Sequence, residues 1–72
     1  MDEQIIYGRN AVTEALRSGK TVDTVYIQKT AKGLGGIIAL AKESGAVVKD
    51  AGEDKLAELS GGGKHGGVAA VL

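Results

Sequence analysis

The chain has 72 residues and no formal net charge, nine Lys and Arg balancing nine Asp and Glu, with 43% hydrophobic residues, 25% charged residues and neither Cys nor Pro. That arithmetic excludes a second domain, a disulfide scaffold, a Cys-based zinc site and a polybasic nucleic-acid arm, and it fits a globular domain in a reducing, cytoplasmic setting. No run reaches the ~18 apolar residues of a membrane span, and Met1-Asp2-Glu3-Gln4 has none of the features of a signal peptide.

Ile5-Ile6-Tyr7 is a short apolar lead-in that stops at Gly8. Asn10 is placed to cap a helix whose apolar positions Ala11, Val12, Ala15 and Leu16 share one face, and Ser18-Gly19 ends that helix. Thr24 to Gln28 is rich in β-branched and aromatic residues and reads as a strand. Leu34, Ile37, Ile38 and Ala41 follow the i, i+3, i+4, i+7 template and predict a helix from Gly33 to Ser44, closed by Gly45. Gly35 and Gly36 weaken its first turn by roughly 1 kcal/mol each relative to Ala.

Ala46 to Lys49 reads as a second strand and Glu53 to Leu59 as a short third helix. Gly61 to Gly67 is a glycine-rich loop, expected to be mobile. Val68 to Leu72 is a strand apolar throughout, as expected of a central position covered on both faces. Helix and strand alternate, which predicts one α/β domain over residues 1–72, a small three-layer α/β/α sandwich. The chain ends at Leu72 within its most apolar segment, so a longer parent protein is expected. With so few large apolar side chains, both Tyr7 and Tyr26 are expected to be buried rather than stacked on a ligand.

The neutral total hides a local imbalance. Residues 25–49 hold Lys29, Lys32, Lys42 and Lys49 against Glu43 alone, whereas the flanking stretches are slightly acidic. An ordinary solvated lysine face accounts for this equally well.

Enzymatic motifs fail on spacing. Gly33-Leu34-Gly35-Gly36 follows a strand and opens a helix, but Ile38 occupies the third glycine position of a dinucleotide fingerprint. Gly61-Gly62-Gly63-Lys64 has the composition of a phosphate loop, yet His65 stands where Ser or Thr is needed, and the loop runs from helix to strand rather than the reverse. A single His with no Cys makes no metal site, and Ser18, Ser44 and Ser60 sit at helix ends, where they cap rather than attack. No nucleophile, base and oxyanion donor assemble, so the segment carries no catalytic residues of its own.

What remains is polar punctuation at three junctions: Gly8-Arg9-Asn10, Lys29-Thr30-Ala31-Lys32 and Lys64-His65-Gly66-Gly67. These loops share one end of the sheet if the Thr24 and Val68 strands are antiparallel, and lie at opposite ends if they are parallel.

Ile6-Tyr7-Gly8-Arg9-Asn10-Ala11-Val12-x-Glu14-Ala15-Leu16 resembles the opening of the substrate-binding domain of SpoU (TrmH-like) RNA ribose 2′-O-methyltransferases. Leu56-x-x-Leu59-Ser60-x-x-x-Lys64-His65-x-Gly67-Val68-Ala69-Ala70 resembles that domain's closing signature, and together the blocks cover essentially the whole chain. The resemblance implies a fold like that of small ribosomal proteins that bind kinked RNA. It also implies a knotted catalytic domain downstream, holding S-adenosylmethionine, and a homodimeric parent enzyme. The implied substrate is structured ribosomal or transfer RNA, a ribosomal RNA guanosine being the expected target. Carried over by position, Arg9, Asn10, Lys64 and His65 face RNA, with Lys29 and Lys32 as further phosphate contacts. The family commonly reads His-Gln-Gly where this chain has His65-Gly66-Gly67, which removes one side-chain donor and acceptor. A stand-alone kinked-RNA-binding protein and a protein-docking domain are the rival readings.

Overall fold

A computed structural model describes residues 4–72; Met1, Asp2 and Glu3, which enter the signal-peptide reading, lie outside the described residues. The elements in chain order are β1 (Ile5–Tyr7), α1 (Arg9–Arg17), β2 (Thr24–Gln28), α2 (Gly35–Glu43), β3 (Val47–Ala51), α3 (Glu53–Ser60) and β4 (Val68–Val71). The four strands form one mixed sheet in the order β1-β4-β2-β3. β2 and β3 are parallel, joined across α2, while β4 runs antiparallel to both of its neighbours.

Three layers follow from the pleat. Successive side chains of a strand point to opposite faces, so Val68 and Ala70 share one face of β4 and Ala69 takes the other. Val68 and Ala70 join Val12, Ala15, Leu16, Val25, Ile27, Ile37 and Ala41 in the main core, which places α1 and α2 together on one side of the sheet. Leu56 is fully buried on the opposite side, where α3 packs across all four strands. β4 is covered on both faces, and Val68, Ala69 and Ala70 are all fully buried, as its unbroken apolar pattern predicts. Its two alanines leave room for helices to approach closely from either side.

Several local expectations are corrected. Ile5-Ile6-Tyr7 is a true strand, paired in register Ile5 to Val71 and Tyr7 to Ala69. The N-cap of α1 is Gly8, at φ 97, rather than Asn10, which is the helix's second residue. α2 begins at Gly35, two residues later than predicted, because Gly33 adopts φ 79 and interrupts the helical geometry. Tyr7 is 39% exposed on the edge strand. Tyr26 is half-buried, with the Lys55 ammonium 5.5 Å from its ring centroid.

Candidate nucleic-acid interface

Strand direction decides where the polar junctions lie. β1 ends at Tyr7, opposite Ala69 near the start of β4, and β2 ends beside that same start, with Ile27 paired to Val68. Because β4 is antiparallel to both, the segments after β1, after β2 and before β4 emerge at one end of the sheet. The three junctions singled out in the sequence therefore form a single face.

Backbone hydrogen bonds tie these loops together. Gly8 N–H donates to Val68 O at 3.1 Å, Gln28 N–H to Gly67 O at 2.8 Å, and Val68 N–H to His65 O at 3.1 Å. Arg9 joins them through its side chain: its Nε–H donates to Gly66 O at 3.0 Å. Its Nη1 lies 3.1 Å from where a Cβ on Gly33 would stand. One guanidinium thus spans the loop before β4 and the turn before α2, on a residue that is itself exposed.

His65 plays a different part from the other candidates. Gly67 N–H donates to its Nδ1 at 3.0 Å, which ties the ring to the backbone of its own loop. Its Nε2 faces Glu53 Oε1 at 3.4 Å, and the imidazole is only 11% exposed. With Nδ1 held by the Gly67 N–H, His65 shapes the loop, and Glu53 is a neighbour the sequence reading missed. Glu53 opens α3 and is 12 residues from His65 in sequence, so only the three-dimensional placement of α3 brings it into view.

Arg9, Asn10, Lys29, Lys32 and Lys64 are all exposed. Asn10 makes no side-chain hydrogen bond among the described residues, so freedom from capping leaves its amide available for a ligand. Lys29 is 4.0 Å from Asp50, at the limit of an ion pair, with both side chains open to solvent. Such a contact contributes ~0–1 kcal/mol. Arg9, Lys32 and Lys64 take part in no ion pair among the described residues.

The serines behave as helix ends. Ser18 and Ser44 are the C-caps of α1 and α2 and donate back to Ala15 O at 3.1 Å and Ala41 O at 2.9 Å. Ser60 is 7% exposed and can donate to Ala57 O or Gly63 O, which helps close the glycine-rich loop.

Residues 5–72 match the family model for the substrate-binding domain of RNA 2′-O ribose methyltransferases. The chain belongs to this SpoU substrate-binding family. It is 38% identical over 74 residues to a protein of Staphylococcus saprophyticus and 35% identical over 74 residues to one of Staphylococcus haemolyticus. Both are named for the TrmH family of tRNA/rRNA methyltransferases, and the match takes in all of this chain. The chain spans 29% of the length of each relative.

The methyl donor implied by this SpoU membership, S-adenosylmethionine, does not fit the residues present. Leu34 of the Gly33–Gly36 turn is buried in the core. The groove beside the turn is lined by Arg9, Thr13, Arg17, Gly33, Gly36, Ile37 and Leu40, with no carboxylate to accept from ribose hydroxyls. Among the described residues no group of three His, Asp or Glu is placed to hold a metal, and no helix is long and apolar enough to cross a membrane.

Proposed function

We propose that this domain recognises structured RNA through the loop face and presents it to a methyltransferase domain elsewhere in a longer, cytoplasmic parent protein. The observation that carries the reading is the convergence of Arg9, Asn10, Lys29, Lys32, Lys64 and His65 at one end of the sheet of a SpoU-family domain. Arg9, Lys32 and Lys64 supply phosphate contacts, and Asn10 supplies an amide that can both donate to and accept from a base edge or a 2′-hydroxyl. His65 acts through the loop it holds. Methyl transfer from S-adenosylmethionine, homodimerisation and the choice of a ribosomal RNA guanosine belong to the parent, and this chain contributes the positioning of the substrate.

The test is RNA affinity at low salt. Replacing both Arg9 and Lys64 by Ala is expected to weaken binding to an RNA stem with a purine-rich internal loop by about 1–3 kcal/mol. The doubly substituted protein should keep its circular dichroism spectrum. Unchanged affinity in a folded variant would show that the binding face lies elsewhere.

A further inference from the structure

One flank of α1 is cationic and, among the described residues, unopposed. Arg9, Thr13 and Arg17 recur every four residues and line the groove between α1 and α2, whose other wall and floor are Gly33, Gly36, Ile37 and Leu40. No carboxylate lines this groove. Glu14 sits on the other flank of the helix, in a separate depression with Ile6, Ala11, Ala15, Ser18 and Lys20. Arg17 is exposed and makes no ion pair among the described residues. Arg9 belongs both to this groove and to the loop face, through its bond to Gly66 O.

We infer that the α1–α2 groove is a second RNA subsite, a track for the phosphodiester backbone of a strand that leaves the loop face past Arg9 and runs along α1 to Arg17. The inference rests on the RNA-recognition reading and extends it. Residues four apart on a helix are separated by about 6 Å along its axis, comparable to the step between neighbouring phosphates of one strand. Arg9, Thr13 and Arg17 therefore offer a guanidinium, a hydroxyl and a second guanidinium in phosphate-like rhythm over about 12 Å. Arg17 lies in the last turn of α1, where the helix's own dipole favours a cation.

The glycines of the opposite wall agree with such an occupant. A Cβ on Gly36 would meet no atom within 4 Å, and its φ is ordinary for a helix, so the fold itself does not require glycine there. Its absent side chain leaves the groove open where a sugar–phosphate chain would lie. An acidic peptide is the rival occupant, but the groove is continuous through Arg9 with the loop face, which favours the RNA already held there.

The test uses the 72-residue chain and the same stem RNA, followed by amide chemical shifts and by affinity as a function of salt. RNA is expected to shift the amides of Thr13, Arg17 and Gly36 together with those of Arg9, Asn10 and Lys64. Arg17→Ala should weaken binding about three- to tenfold and reduce the slope of log K against log salt by about one phosphate's share, ~0.7–0.9. Gly36→Glu, which fills and recharges the groove at a position where the fold itself has room for a side chain, should weaken binding at least as much. Shifts and affinity losses confined to the loop variants would overturn the groove and leave the RNA-binding face standing. Absence of any RNA-induced shift at low salt would overturn both. Groove shifts produced by poly-glutamate but not by RNA would assign the groove to an acidic protein and overturn the inference.

Discussion

A Cβ built on Gly67 stands 2.6 Å from Ala31 Cβ, 3.5 Å from Leu34 Cδ1 and 3.6 Å from Gln28 Cβ, and the backbone there has φ 89. Two separate costs meet at this residue: a left-handed conformation that side chains disfavour, and a close approach between the loop before β4 and the turn after β2. Gly67→Ala is therefore expected to destabilise the fold by about 2–4 kcal/mol, read by chemical denaturation, and near-native stability would contradict the packing described. Gly66 next door differs. Its φ of 59 also favours glycine, but its nearest outside neighbour is the flexible Arg9 Cγ at 3.4 Å. Its carbonyl, not a side chain, is the group put to use, accepting from Arg9 Nε–H. That contact needs no side chain at this position, where the family's pattern has Gln.

At the scale of elements, the faces of α1 and α2 were legible because period and burial largely coincide: Val12, Ala15 and Leu16, then Leu34, Ile37 and Ala41, are buried, whereas Ala11 is exposed and Ile38 half-buried. β4 was legible for the same reason, being apolar at every position. β1 was not, since three residues offer too little alternation to distinguish a strand from a lead-in, and its pairing partner lies more than 60 positions away. The antiparallel relation of β2 and β4 was undetermined for a related reason: strand direction is fixed by non-local pairing that no short window contains. The start of α2 was misplaced because a helical apolar pattern continues back through Leu34, while Gly33 at φ 79 breaks the backbone first. Gly35 sits inside that first turn with open space around its missing Cβ. Gly35→Ala should accordingly stabilise the domain by about 0.5–1 kcal/mol, seen as a rise of a few degrees in melting temperature. A fall would mean that the first turn of α2 is not helical as described.

For the molecule as a whole, zero net charge conceals a loop face that gathers charges of both signs. β3 runs parallel to β2 and finishes at the same end of the sheet, so Asp50 and the first turn of α3, with Glu53 and Asp54, emerge at the end that carries Lys29 and Lys32. The basic block legible in residues 25–49 is thus partly offset in space by acids that follow it in sequence. Glu53 lies beside His65, and Asp50 lies against Lys29. That leaves Arg9, Lys32 and Lys64 as the cations on this face outside any described ion pair. If three phosphates of a single-stranded loop are neutralised there, log K should fall against log salt with a slope of about −2, steepened by the share of Arg17 where the groove is also occupied. Asp50→Asn removes the one carboxylate held, among the described residues, against a face lysine and frees Lys29 for a further phosphate. RNA affinity at low salt should then rise about two- to fivefold, and the slope should steepen by ~0.7, with the fold unaffected because Asp50 is solvent-exposed. A salt titration of the two proteins decides it. Identical slopes and affinities would show that Lys29 stays off the RNA, and that the interface narrows to the side of the sheet end where Arg9 bridges the loop before β4 and the turn before α2.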